Sequence, residues 1–173
     1  MSGNPKAGKR RQVTKTLLLV GEGDAELVWL GHLKRLYVER GAGLVVTLKN
    51  AHGKGAAHVV DVAIRQSRNA AFDVMAVLLD TDTDWTEQVR VRAKKEGVEI
   101  VAATPCLEGM LLSAHGHPVE GRTSAKLKSD FAVNFGMNAL DARTYEQHFS
   151  RTFLESIRTE RAEIDQLLNL LTT

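Results

Sequence analysis

The chain has 173 residues, 43% hydrophobic but only 5% aromatic, with one cysteine and a formal net charge of +2. That length suits one core of ordinary size, and a single thiol excludes an internal disulfide framework. No apolar run is long enough to cross a bilayer, and no secretion signal opens the chain, so a cytoplasmic protein is expected.

Residues 1–13 read as a flexible basic arm, with Lys6, Lys9, Arg10 and Arg11, then Lys15, and no acid among them. Such an arm can lie along phosphates, or it can be a soluble tail. From residue 14 the pattern changes. Leu17, Leu18, Leu19 and Val20 are consecutive and end in Gly21 and Glu22, the signature of a strand buried on both faces. Gly23 or Asp24 then begins a helix on which Trp29, Leu30, Leu33, Leu36 and Tyr37 recur at helical spacing.

"LVVTLKN" is a second strand, rich in β-branched residues, and the turn "AHGKG" leads to a helix near residues 56–68. "FDVMAVLLDTD" is a third buried strand, ending in acids. Asp84 and Glu87 have capping-box spacing for the next helix. Trp85, Val89 and Ala93 mark that helix's inner face, while Arg90, Arg92, Lys94 and Lys95 mark its outer one. "GVEIVAAT" is a fourth strand, and Pro105 precedes a short apolar helix in which Cys106 is a buried thiol. Beyond it, residues 119–173 contain no strand. Phe149, Phe153 and Ile157 form one helical stripe, and Ile164, Leu168 and Leu171 another. These helices are expected to pack on the main domain or to receive a protein partner or a second copy. The expected class is α/β, a mostly parallel four-stranded sheet with helices on both faces, plus C-terminal helices.

The acids fall at the strand ends, where such sheets place their functional residues. Glu22 follows the first strand, Asp80 and Asp82 follow the third, and Glu108 stands just after the fourth. Carboxylates converging there repel one another unless a cation sits between them. Mg²⁺ or Mn²⁺ suits oxygen donors of this kind. Glu22, Asp80, Asp82 and Glu108 are therefore candidates to hold such an ion and to act around it, with Asp80 and Asp82 ligating directly or through water. Each acid taken singly also has an ordinary reading as a hydrated capping residue. Neither a phosphate-binding G-x-x-x-x-G-K-[ST] loop nor a G-x-G-x-x-G fingerprint is present, which disfavours a P-loop ATPase or a dinucleotide binder. Lys54, in the turn after the second strand, either reaches a phosphate or is simply solvated. His115 is a weaker candidate to approach the acids.

A Glu-Gly pair after one strand, with Asp-x-Asp after another, resembles the Toprim fold of topoisomerases, primases and OLD-family nucleases. The likeness is greater to RloB-like proteins. It rests on four elements in order across residues 16–117: "VGEGDAELVWLGHL", "HGKGAAHVVDVAI", "LLDTDTD" and "TPCLEGMLLSAHG". The resemblance implies a Toprim-like domain over residues 14–118; the helical extension over 119–173 has no counterpart in it. The likeness makes Glu22, Asp80 and Asp82 the metal-site acids, with Glu22 also moving a proton, and Glu26 and Glu108 the accompanying glutamates. Leu107 and Gly109–Met110 depart from the aromatic residues that usually flank the last glutamate.

The expected function is metal-dependent cleavage or related processing of phosphodiesters in DNA or RNA, in a setting such as phage defence. Lys9, Arg10, Arg11, Lys54, Arg90 and Lys94 are the candidate nucleic-acid or phosphate contacts. The alternative is a non-catalytic nucleic-acid or nucleotide-binding subunit of a larger complex. Phosphoryl or nucleotidyl transfer to a small nucleotide is a third reading of the same acids.

Overall fold

The computed structural model describes residues 15–172. Lys9, Arg10 and Arg11 lie outside them. Strand β1 (Lys15–Gly21) leads to α1 (Asp24–Tyr37), β2 (Leu44–Asn50), α2 (Ala56–Asn69) and β3 (Val74–Asp80). Then come α3 (Glu87–Lys95), β4 (Val98–Ala103) and α4 (Leu107–Ala114). The chain continues through α5 (Ser124–Phe135), α6 (Ala142–His148), α7 (Arg151–Ile157), a 3₁₀ turn (Arg158–Glu160) and α8 (Ala162–Thr172).

The four strands form one parallel sheet in the order β2-β1-β3-β4. Its centre is β1 and β3, the two strands with the longest unbroken buried runs. Successive side chains of a strand point to opposite faces, so a strand covered on both sides needs apolar residues throughout. Leu17 and Leu19 of β1, with Ala76 and Leu78 of β3, enter one core layer beside α1, α4 and the later helices. Leu18 and Val20, with Val77 and Leu79, enter the other layer beneath α2 and α3. All of these are at most 1% exposed. Burying one such leucine contributes about 1.5–3 kcal/mol, and this central pair anchors both layers.

The C-terminal helices share the first layer. Leu127, Phe131, Tyr145, Phe149, Leu154, Ile164 and Leu168 are buried with Trp29, Leu30 and Leu111 in one continuous cluster. Residues 119–172 therefore pack on the sheet-bearing part of the chain.

Two local expectations are corrected. Asp84 does not cap α3. It adopts φ +54°, and the helix starts only at Glu87. Thr86 is the cap, its Oγ1 accepting the Val89 amide at 3.3 Å. Trp85 thus precedes the helix instead of opening its inner face, while Val89 and Ala93 are buried as their spacing predicts. The Phe149–Phe153–Ile157 stripe does not lie on one helix either. α6 ends at His148, and Ser150 caps a new helix by accepting the Phe153 amide at 3.2 Å.

That break leaves carbonyls without helical partners, and two histidines reach them. His115 Nε2 meets the His148 carbonyl at 2.9 Å, and His32 Nε2 meets the Phe149 carbonyl at 2.7 Å. A carbonyl can only accept, so each Nε2 carries the proton. His115 also stacks on Phe153, with centroids 4.2 Å apart. It serves this aromatic cluster and not the acids.

Candidate acidic site at the β1 and β3 strand ends

α1, which follows β1, and α3, which follows β3, lie on opposite faces of the sheet. Adjacent strands whose connections diverge in this way leave a crevice beyond their carboxyl ends. Glu22 and Asp80 stand at the two ends that flank this crevice.

Glu22 is fixed by its backbone first. Its amide donates to the Leu78 carbonyl at 3.0 Å, continuing the β1–β3 ladder, and its carbonyl accepts from Gly53 at 2.7 Å. The side chain then crosses to the neighbouring strand, where Oε2 accepts the Asp80 amide at 2.9 Å. Asp80 Oδ1 in turn accepts the Leu107 amide at 3.0 Å. This is the first turn of α4, whose cap residue Cys106 supplies no side-chain hydrogen bond, so the aspartate satisfies an otherwise orphaned donor. Past Asp80 the chain turns toward β4, with the Thr81 and Asp82 amides both donating to the Pro105 carbonyl at 3.1 Å.

α1 contributes Glu26, 6% exposed, whose Oε2 accepts the Gly23 amide at 2.8 Å. Gly21 makes this approach possible. A Cβ there would lie 2.9 Å from the Glu26 Cβ, closer than real contacts allow. α4 contributes Glu108, 7% exposed. Among the described residues its carboxylate has no hydrogen bond and no ion pair. Its oxygens are not among the buried atoms left without a partner, and its charge faces Lys128 of α5.

The electrostatics tie these groups together. Burial, and then the charges of Glu26, Glu22, Asp82 and Glu108, push the Asp80 carboxyl up to about 8. Burial also raises Glu26, with Glu108 and Glu22 adding to it against the backbone hydrogen bonds that hold it down. Burial pushes the Cys106 thiol up to about 11, with Glu108 and Asp80 reinforcing it, which leaves it an unreactive thiol at neutral pH.

All four catalytic candidates, Glu22, Asp80, Asp82 and Glu108, thus gather at one end of the sheet, and Glu26 stands with them. Lys54 lies in the β2–α2 turn, exposed and with φ +74°, beside the Gly53 that bonds to Glu22. Arg90 and Lys94 are elsewhere. They line a groove between α3 and β4 with Val91, Ile100 and Ala102, and Arg90 is paired to Glu87 at 3.0 Å. Arg92 is engaged with Asp61 of α2 at 2.6 Å.

The cation that does face the acids is Lys128, on α5. Partial burial works against its charge, but Glu108, Asp80, Cys106 and Glu26 outweigh that and hold it more firmly protonated than an ordinary lysine. α5 also brings Ser124, whose Oγ donates to Asp82 Oδ2. The only signal for either in the sequence is their i, i+4 spacing behind the Thr123 cap, which places them on one helix face.

Among the described residues, no three His, Cys, Asp or Glu side chains form a ready-made metal cage. Mg²⁺ is commonly held by one or two carboxylates, with waters completing its shell. The Glu22 and Asp80 oxygens are hard donors of that type, and the mutual repulsion they carry is what a divalent cation relieves.

No helix among the described residues is long and apolar enough to cross a membrane. No protein-family model matches the chain, nor does any curated protein or solved structure.

Proposed function

We propose that the protein is a Toprim-like, metal-dependent nuclease or related phosphodiester-processing enzyme acting on nucleic acid. The observation that carries this reading is the pairing of Glu22 and Asp80 across adjacent strand ends, with Asp80 pushed to about 8 by burial and then by four neighbouring carboxylates. Structural acids are arranged to avoid such crowding, whereas sites that bind cations and phosphates use it.

Glu22, Asp80 and Asp82 would hold Mg²⁺ or Mn²⁺, which when bound neutralises phosphoryl oxygens and acidifies a water. Glu22 keeps its second carboxylate oxygen free to take a proton, while Glu108 offers an uncommitted carboxylate on the opposite wall. Lys128 supplies positive charge for the substrate phosphate. It replaces Arg90 and Lys94 as the main phosphate contact in this reading, with Lys54 at the rim.

The test is cleavage of a broad DNA and RNA panel with Mg²⁺ or Mn²⁺. Folded Glu22→Gln and Asp80→Asn variants should each lose at least about a thousandfold in rate. Equal processing by wild type and both variants would overturn the reading. The lack of a ready-made three-ligand cage favours a second one, a nucleic-acid-binding subunit without turnover. Undiminished binding by both variants, with no product from wild type, would select it.

A further inference from the structure

β4 is the last strand of the sheet, and no strand among the described residues covers its outer edge. The Ala103 carbonyl points inward and accepts the Thr81 amide at 3.0 Å. Carbonyl direction alternates along a strand, so Val98, Ile100 and Ala102 turn their amides and carbonyls outward. A row of this kind is a template for another strand unless it is guarded. At the opposite edge of the sheet the guard is a charge, Lys34 Nζ donating to the Val46 carbonyl at 2.8 Å. Here it is one neutral amide, Gln166 Nε2 donating to the Ile100 carbonyl at 3.2 Å, and that oxygen keeps a second lone pair.

The helix beside this edge is suited to meet a copy of itself. α3 packs on the sheet through Val89 and Ala93, and it meets α2 through Arg92 and Asp61. Its remaining side flanks a groove whose other wall is β4. There Glu87, Val91 and Lys94 recur at i, i+4 and i+7, so they form one stripe. The stripe has an acid at its start, an apolar residue near its middle and a base at its end, and Val91 is 58% exposed. Two such stripes running the same way set like charge against like. Turned antiparallel, each Glu87 faces the other copy's Lys94, and the two Val91 side chains meet between them. Arg90 is already paired with Glu87 of its own helix, at 3.0 Å.

We infer that this face is the contact between two copies of the chain, related by a two-fold axis through the groove beside Val91 and Ile100. An axis perpendicular to the sheet turns α3 antiparallel to α3 and β4 antiparallel to β4 in one operation. The charges and the strand edge are then satisfied together, as a self-complementary patch requires. Centred on Ile100, Val98 of each copy faces Ala102 of the other, and the two sheets become continuous. The same operation points the two acidic strand ends in opposite directions. Each acidic site therefore stays whole within its own chain, and the contact is independent of the proposed chemistry.

The experiment is sedimentation equilibrium of the full chain across the micromolar range, with melting temperature to show that each variant is folded. Wild type should dimerise. Val91→Asp sets two carboxylates at the axis and should weaken the dimer at least about tenfold, and Lys94→Glu, which opposes acid to acid at both ends, should do the same. Glu87→Lys combined with Lys94→Glu should restore the dimer, because the reversed pairs attract again. All three positions are exposed, so the variants should melt close to wild type. A wild-type chain that stays monomeric overturns the inference. So does a dimer that Val91→Asp and Lys94→Glu leave intact, which must form through another face. A dimer weakened by Lys94→Glu but not restored by the double reversal lacks the antiparallel pairing, and the inference fails there too.

Discussion

Two of the places where the protein buries or half-buries ionisable side chains are treated in opposite ways. At the α6–α7 break, His32 and His115 each donate to one backbone carbonyl and pack against aromatic rings. At the strand ends, Asp80 is crowded by four other carboxylates, and Glu108 has no hydrogen bond or ion pair among the described residues. The first arrangement resolves its polar groups within the fold. The second leaves an excess of negative charge that Lys128 offsets only in part. Burial alone does not mark a functional site; burial with unresolved charge does.

The largest effect that can test this contrast is removal of the histidine clasp. His32→Ala takes away the donor to the Phe149 carbonyl and opens a cavity beneath Trp29. The expected loss is about 2–4 kcal/mol, combining an orphaned acceptor with lost packing. Cleavage per folded molecule should not change.

The clasp also has a pH signature. Burial lowers both His32 and His115 below the ordinary value of 6.5. The unfolded chain therefore takes up protons first as the solution is acidified. Their contribution is complete above pH 6.5 and is lost as pH falls below it. Urea denaturation across that window should show stability dropping toward acid, with a shallower drop in a His115→Gln variant. An unchanged slope would place the titration elsewhere.

At the acidic end the slope has the opposite sign. The Asp80 carboxyl is raised from an ordinary 3.8 to about 8, so the folded state holds the proton more tightly than the unfolded one. Its stabilising contribution is complete below about pH 4 and is lost as pH rises through 8. Without metal, Asp80→Asn should melt higher than wild type at pH 8, by about 1–2 kcal/mol or several degrees for a chain of this size. The same substitution abolishes the proposed chemistry. A variant both dead and more stable is the mark of a group kept for function. If Asp80→Asn instead melts lower at pH 8, the aspartate is a structural cap of α4, and the two regions are alike after all.

Much of this was readable in the sequence, for a physical reason. A strand covered on both faces must be apolar at every position, so Leu17–Val20 and Ala76–Leu79 identify the central strands without any tertiary information. Strand direction then places Glu22 and Asp80 at the same end. What was not readable depends on details that spacing does not encode. Asp84 and Thr86 can both cap a helix, and the choice of Thr86 follows from the left-handed backbone at Asp84. Phe149, Phe153 and Ile157 still meet the same core cluster across the helix break, Phe149 buried and the other two partly so. Lys128 and Ser124 were missed because α5 reaches the acids only through its packing on α4, a contact with no local signature.

Lys128 gives the smallest and most discriminating prediction. The outward charges of α3 suggest a phosphate track at Arg90 and Lys94, yet those residues line a groove beside β4, whereas Lys128 shares the field of Asp80, Glu108 and Glu26. Lys128→Met should weaken nucleic-acid binding about three- to fivefold. It should also reduce the slope of log affinity against log salt by about one, as expected for loss of one phosphate contact. Removing Arg90 and Lys94 together should change affinity less than twofold. The reverse ranking would move the substrate path from the α5 wall to the α3 face, and the acids would then be approached from the other layer of the sheet.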